Sequence, residues 1–246
     1  MRSVVCVPAR FSSSRYPGKP LVPLLGKPMV LWVAELSAKA VGVENVYVAT
    51  EDQRIANVVI EAGFNAVMTT DSCLTGTDRL AEAAQHIDAD IYINVQGDEP
   101  LVNPQDIKHA IIEKQNNMSA IINGFTFIGD DEDPSSVNIP KVITTEDNKL
   151  VYMSRCLIPG FKETKNAPLK FKKQVCIYAF TKEELNAYND FGRKSELERS
   201  EDIEILRFLE FGKTILMFET LPGSLAVDAP EDVKVVEIAL KKLHNL

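Results

Sequence analysis

Residues 46–68 read Val-Tyr-Val-Ala-Thr-Glu-Asp-Gln-Arg-Ile-Ala-Asn-Val-Val-Ile-Glu-Ala-Gly-Phe-Asn-Ala-Val-Met, and the architecture follows from them. Val46 to Ala49 is a short β-branched and aromatic run, the composition of a strand. Asp52 to Ala62 is helical, and Gly63 stops it where a helix C-terminus favours glycine. Ala66 to Met68 is a second strand. A strand, a helix and a strand joined this tightly form the unit from which parallel sheets are built.

The same alternation extends on both sides. Upstream, Ser3 to Val7 is a short buried strand, Pro8 to Leu25 a long polar loop, and Pro28 to Ala40 a helix. Downstream, Thr77 to His86 is a helix that Thr75 or Thr77 would cap, and Asp90 to Val95 is a strand. Pro104 to Lys114 is a helix that opens on proline, where the missing N–H does no harm. The pattern predicts an α/β fold with a largely parallel sheet flanked by helices. Ligands of such sheets lie beyond the carboxyl ends of the strands, so the residues just after each strand are the ones that matter.

The later chain departs from this rhythm. Lys141 to Thr145 and Lys149 to Met153 flank a turn at Glu146-Asp147-Asn148, which predicts an antiparallel hairpin. Gly160 to Lys173 is basic and polar, suited to a lid over substrate. Val175 to Phe180 is a strand, Ser200 to Phe211 a helix ended by Gly212, Thr214 to Phe218 a strand, and Pro230 to Leu243 a closing helix. One domain over 1–246 is expected, with an insertion at about 125–180 supplying a substrate pocket and dimer contacts.

The chain has 246 residues, 45% of them hydrophobic and 25% charged, enough for one sizeable core and too apolar for disorder. A net charge of −8 argues against non-specific nucleic-acid binding. No apolar run is long enough to span a bilayer, and no signal-peptide pattern follows Met1-Arg2, so a cytoplasmic protein without membrane contact is expected. The four cysteines (Cys6, Cys73, Cys156, Cys176) form no CxxC pair, and the three histidines (His86, His109, His244) are scattered. Reduced, mostly buried thiols and no zinc site are expected.

Charge is distributed unevenly. Arg2, Arg10, Arg15, Lys19 and Lys27 all precede the first acidic residue, Glu35. Arg10, Arg15 and Lys19 share one loop after the first strand, with Ser12, Ser13, Ser14 and Gly18. Small residues let backbone N–H groups approach a phosphate, and the cations neutralise it. Such a loop suits a nucleoside triphosphate and a departing pyrophosphate; a solvated basic loop is the plain alternative. Neither GxxxxGK[ST] nor GxGxxG is present.

Five segments then narrow the reading. Pro8-Ala-Arg-Phe-Ser-Ser-Ser-Arg-Tyr-Pro-Gly-Lys-Pro-Leu21 resembles the opening signature of the 3-deoxy-manno-octulosonate (Kdo) cytidylyltransferases. Val48-Ala-Thr-Glu-Asp52, Thr75-Gly-Thr-Asp-Arg79, Asn94-Val-Gln-Gly-Asp-Glu-Pro100 and Val227-Asp-Ala-Pro-Glu-Asp232 agree in order along nearly the whole chain. The resemblance implies a Rossmann-like nucleotidyltransferase fold with an inserted antiparallel sugar-binding region. It also implies CTP and an acidic 3-deoxy sugar as substrates, Mg2+ as cofactor, and a homodimer. Pro8, Ala9, Arg10, Ser13, Arg15, Lys19 and Thr50 fall on the nucleotide side, with Thr75, Gly76, Thr77 and Arg79. Arg10, Lys19 and Asp98 fall on the catalytic machinery. Asp98 and Asp228 match the metal ligands, two oxygen donors of the kind Mg2+ prefers, with phosphate and water completing the shell. Asp228 also stands where it would cap the closing helix.

The reaction implied is a single displacement. The anomeric 2-hydroxyl of the sugar attacks the α-phosphorus of CTP, and pyrophosphate leaves. No protein nucleophile is required.

On the sugar side, Gln96, Arg155, Gln174, Tyr178 and Glu204 match substrate-binding positions, with Arg155 offering a fork for the acceptor carboxylate. Here the sequence departs from the family pattern. Gln174 stands for His, Cys176 for Gly, Ile205 for Gln, and Gly160 for an aromatic residue. These changes leave the nucleotide half untouched and bear on the acceptor. Kdo leads; a modified form such as 8-amino-Kdo, another 3-deoxy-ulosonic acid, or a non-catalytic binding homologue stand beside it.

Overall fold

The protein is described by a computed structural model covering residues 1–12, 16–130, 132–223 and 225–244, the side chain of His244 excepted. Ser13 and Arg15 therefore lie outside the described residues. The elements are β1 (Ser3–Pro8), β2 (Pro23–Leu24), β3 (Lys27–Pro28), α1 (Met29–Val41), β4 (Val46–Thr50), α2 (Gln53–Glu61) and β5 (Asn65–Met68). Next come α3 (Gly76–Ala83), β6 (Ile91–Val95), α4 (Pro104–Asn116), β7 (Ile121–Phe127), β8 (Lys141–Thr144), β9 (Leu150–Ser154) and β10 (Lys172–Phe180). The chain ends with α5 (Lys182–Asp190), α6 (Glu196–Glu201), α7 (Leu206–Glu210), β11 (Ile215–Glu219) and α8 (Asp232–His244).

The main sheet runs β11-β7-β10-β6-β1-β4-β5. β1 pairs parallel with β4 and β6, β4 with β5, and β11 with β7. β10 runs against both of its neighbours, β6 and β7. The expected α/β architecture is present. The 125–180 stretch does not stand apart as a whole, because β10 is threaded through the middle of the sheet. The β8–β9 hairpin and residues 155–171 lie off its main path, and β8 pairs with β10.

Each face of the sheet has its own core. Val30 and Val33 of α1, Ile55 and Val59 of α2, and Ile107 of α4 pack on Val5, Val7, Ile91 and Ile93. On the other face, Leu80 of α3, Leu185 and Tyr188 of α5, and Leu206 and Phe208 of α7 pack on Cys6, Tyr92, Tyr178 and Phe180. Alternation along each strand produces the division, because successive side chains point to opposite faces.

A third cluster gathers Leu24, Met29, Trp32, Leu101, Val227, Val236 and Leu240. It pins α8 to the start of α1, and each fully buried aliphatic side chain contributes about 1.5–3 kcal/mol. No helix among the described residues is long and apolar enough to cross a membrane. Of the cysteines only Cys6 is fully buried; Cys156 is exposed, so mostly buried thiols is too broad a description.

Candidate active site

The strand ends of β1 and β6 form the floor of the site. Pro8 and Ala9 are buried, and the Ala9 N–H donates to Ala49 O at 2.9 Å, which ties the start of the loop to β4. Gly97 follows β6 and lies directly against β1. A Cβ there would fall 2.8 Å from Pro8 O, so only glycine allows the approach. Asp98 is thereby held beside the loop that carries Arg10 and Lys19.

Gly18, in the left-handed region at φ 71°, turns the chain into a short 3-10 turn that begins at Lys19. The Lys19 ammonium lies 2.5 Å from Asp98 Oδ2 and 4.0 Å from Asp228 Oδ1. The segments bearing the two carboxylates are joined by the backbone, with the Val227 N–H donating to Asp98 O at 2.9 Å. The carboxylates thus converge on one cation, and the pair fits a hard divalent ion: oxygen donors only, partly exposed, on opposed rigid segments. Among the described residues no cluster of three or more acidic, His or Cys ligands exists, so such an ion would complete its shell from phosphate and water. Asp232 Oδ2 accepts the N–H groups of Asp228 and Ala229, each at 2.8 Å. Arg10 is exposed.

The N-terminus of α3 forms the next wall. Thr75 is its cap, accepting the Asp78 N–H at 3.2 Å and donating to Asp78 Oδ2 at 2.8 Å. Gly76 sits against Gln96. The Thr77 N–H donates to Glu204 Oε2 at 3.0 Å, and Gln96 Nε2 donates to Glu204 Oε1 at 2.8 Å. Burial pushes the Glu204 carboxyl above the usual range, against the hydrogen bond from Thr77.

Glu204 reaches this position because the helix expected over 200–211 is broken. Asp202 adopts the left-handed region at φ 50°, a conformation that Asp tolerates, and α6 ends there. Glu204 falls in the turn before α7.

Behind this wall lies a buried ionic cluster. Arg207, completely buried, donates to Asp78 Oδ1 at 2.7 Å and Oδ2 at 3.1 Å, and to Glu198 Oε2 at 2.7 Å and Oε1 at 2.8 Å. Its guanidinium also covers the Tyr188 ring at 3.7 Å. Burial pulls the Arg207 pKa down, but the bonds to Glu198 and Asp78 outweigh it and hold the group firmly charged. Tyr188 Oη lies 3.2 Å from Thr75 Oγ1, which links the cluster to the cap.

Two nucleotide-side expectations change. Arg79 is only 4% exposed; it donates to Thr69 and Thr70 O and pairs with Glu51 at 3.2 Å. Glu51 in turn accepts the Phe11 N–H at 2.8 Å. Arg79 therefore steadies the loop after β1, with all three contacts made through Nη1. Thr50 is completely buried, and its Oγ1 accepts the Asp52 N–H at 3.2 Å. It shapes the turn into α2.

On the sugar side, β10 turns Gln174, Cys176 and Tyr178 to one face. Gln174 Nε2 donates to Asn123 Oδ1 at 3.1 Å and to Tyr178 Oη at 3.3 Å. Asn123 Nδ2 donates to Val175 O and Ile177 O, bridging the irregularity between Val175 and Tyr178. Tyr178 is 2% exposed and stacks on Phe180, so it supports Gln174 instead of meeting a ligand at the surface. Burial raises the Cys176 thiol pKa, and the nearby Glu99, Asp98 and Glu204 carboxylates raise it further.

Arg155 does not offer the expected fork. Its guanidinium donates to Glu201 O at 2.5 Å, Val137 O at 2.9 Å and Asp202 O at 3.1 Å, while the Glu201 carboxylate accepts its backbone N–H at 2.8 Å. It braces the β9 end against α6.

The structure thus brings Lys19, Asp98, Asp228, Gln96, Gly76, Thr77 and Glu204 together. Asp78, Glu198, Tyr188, Asn123 and Glu51 were not singled out from the sequence. Thr181-Lys-Glu-Glu184 and Ser195-Glu-Leu-Glu198 carry the capping-box spacing that marks the starts of α5 and α6, and that signal would have placed Glu198.

Known proteins resemble this chain over nearly its whole length. The profile of the cytidylyltransferase family matches residues 4–215. The 3-deoxy-manno-octulosonate cytidylyltransferase of Geobacter metallireducens is 40% identical, with 96% of this chain and 97% of that protein covered. The 8-amino-3,8-dideoxy-manno-octulosonate cytidylyltransferase of Shewanella frigidimarina is 37% identical over 98% of this chain and 99% of its own. A solved structure of CMP:2-keto-3-deoxy-manno-octonic acid synthetase complexed with CTP superposes with a TM-score of 0.91 at 33% identity, covering 99% of this chain and all (100%) of that one. The chain belongs to the cytidylyltransferase family of CTP-using nucleotidyltransferases.

Proposed function

We propose that the protein transfers CMP from CTP to the anomeric 2-hydroxyl of a 3-deoxy-manno-octulosonate-type acid and releases pyrophosphate. The observation that carries the reading is the convergence of Asp98 and Asp228 on the Lys19 ammonium, with Gln96 and the α3 N-terminus alongside. Similarity to relatives named for Kdo and for its 8-amino analogue supports the acceptor class. The proposal stands at the chemistry those acceptors share.

Each residue has a defined role. Arg10 and Lys19 take the charge of the triphosphate and of the departing pyrophosphate. Asp98 and Asp228 would hold Mg2+, which when bound there offsets negative charge on the phosphates. Backbone groups and short side chains at Thr75-Gly76-Thr77 suit a cytosine and ribose edge. Gln96 and Gln174 read acceptor hydroxyls. A CTP-dependent reaction fits a cytoplasmic enzyme, and its product would feed lipopolysaccharide or capsule assembly.

A homodimer is part of the same proposal. Val151, Leu157, Phe161 and Leu169 expose apolar surface on β9 and the segment after it.

The test is pyrophosphate release from CTP and Mg2+ with Kdo, 8-amino-Kdo and a nine-carbon sialic-type acid offered in parallel. Turnover with either eight-carbon acid supports the reading, and the better substrate names the acceptor. Turnover with the nine-carbon acid alone, or with none, rejects it.

A further inference from the structure

Gln96 is where three segments of the site touch. It follows β6 and stands two residues before Asp98. Its amide lies against Gly76, where a Cβ would fall 3.0 Å from Gln96 Nε2 and 3.1 Å from Oε1. Its Nε2 donates to Glu204 Oε1, and the other oxygen of Glu204 accepts the Thr77 N–H. Among the described residues no donor bonds to Gln96 Oε1, and that oxygen is not sealed from solvent.

A carboxylate has no proton to give. Glu204 therefore decides which way round the Gln96 amide sits, with the nitrogen inward and the carbonyl oxygen outward. Gly76, with no Cβ, leaves the room that this amide fills.

We propose that Glu204 is a positioning residue that locks the Gln96 carboxamide, so that Gln96 Oε1 faces the sugar acid as a fixed hydrogen-bond acceptor and selects acceptors that place a hydroxyl donor there. The inference rests on the cytidylyl-transfer reading above. Glu204 acts on the acceptor through Gln96: one of its oxygens accepts from the nucleotide-side helix and the other from the residue that meets the acceptor.

Glu204→Gln keeps the shape and reverses the logic. The new side chain has one acceptor oxygen, while the Thr77 N–H and Gln96 Nε2 both require one. Giving that oxygen to Thr77 turns its own NH2 towards Gln96, and the Gln96 amide turns over to meet it. The site then presents an NH2 where it presented an oxygen, and a donated hydroxyl meets a donor.

The experiment is steady-state kinetics in both substrates, with thermal midpoints, for the unmodified enzyme, Glu204→Gln, Gln96→Leu and the double variant. Glu204→Gln is expected to raise the acceptor KM about tenfold or more while leaving the CTP KM and thermal midpoint nearly unchanged. Gln96→Leu should do the same, and the double variant should lose nothing further, because both act on one contact. Gly76→Ala, which displaces the same amide from the other side, should also raise the acceptor KM. An unmoved acceptor KM in Glu204→Gln, a parallel rise of both KM values with a lowered midpoint, or additive losses in the double variant overturns the lock. Failure of the unmodified enzyme to turn over any 3-deoxy-ulosonic acid overturns the functional reading and the lock with it. Turnover by the unmodified enzyme with an unmoved Glu204→Gln profile overturns the lock alone.

Discussion

Asp98 and Asp228 repel each other unless a cation stands between them, and in this structure the cation is the Lys19 ammonium. Asp98→Asn removes half of the negative charge at that point and leaves the shape intact. It should lower Mg2+-dependent turnover by about a hundredfold or more, with the circular dichroism spectrum and thermal midpoint unchanged. Lys19→Ala should act mainly through the CTP KM, raising it about tenfold or more, since the proposed role of Lys19 is a charged hydrogen bond to phosphate. Asp98 was legible as a carboxylate just after a strand, whereas Lys19 and Asp228 were marked by the segments that resemble the Kdo cytidylyltransferases, since β1 ends at Pro8 and β11 at Glu219. Arg79, Thr50 and Arg155 each have partners that the sequence does not reveal: it shows a donor or a hydroxyl, not which neighbour engages it. Arg155 has spent its fork on three carbonyls, and only the fold brings those carbonyls to it. The cysteines supply a separate check. Cys6 is buried with its pKa pushed up to about 12, Cys73 is raised to about 11, and Cys176 is raised as well. Thiolate, the reactive form, is scarce at all three near neutral pH, so iodoacetamide at about pH 7.5 should label exposed Cys156 first, as read by peptide mass mapping.

Among the elements, the α6–α7 break matters most. A continuous helix over 200–211 has acceptable apolar spacing, and nothing in that spacing reveals the left-handed turn at Asp202. Tertiary demand produces it: Arg207 must face Asp78 and Glu198 while Glu204 faces Thr77 and Gln96. Arg207→Leu leaves two buried carboxylates without their cation and should cost about 3–5 kcal/mol in a denaturant titration. Arg207→Lys should not recover it, because one ammonium does not reproduce the paired fork to both acids. The parallel strands β1, β4, β5 and β6 were legible from short apolar runs between helical stretches. β7 was not, since Ile121-Ile-Asn-Gly-Phe-Thr-Phe127 interrupts its apolar run with Asn and Gly. Those two residues have local reasons that appear only in three dimensions. Asn123 bridges the irregular stretch of β10, and a Cβ at Gly124 would fall 2.9 Å from Thr220 Cγ2.

Across the whole molecule, the third apolar cluster ties the catalytic edge to the end of the chain. Val236 and Leu240 of α8 pack with Val227, the residue before Asp228, and with Leu24 and Met29 near Lys19. Leu240→Ala should cost about 2–5 kcal/mol in stability. Because α8 packs on the segment that carries the second carboxylate, the same change should also raise the Mg2+ concentration needed for half-maximal turnover. The proposed dimer belongs here too. Light scattering should give twice the chain mass, and Phe161→Asp with Leu169→Asp should reduce it to one chain. A mass of one chain in the unmodified protein would remove the dimer while leaving the cytidylyl-transfer chemistry untouched.

All of this chemistry requires that the acceptor's own anomeric oxygen bonds to the α-phosphorus of CTP. Phosphorus NMR can follow that bond in the product formed from CTP and a Kdo-type acid freshly labelled with oxygen-18 at the 2-hydroxyl. A CMP-sugar whose phosphorus resonance carries the isotope shift of a bridging oxygen-18 is the expected result. Formation of free CMP without a sugar adduct, or of an adduct with no label between sugar and phosphorus, would contradict it.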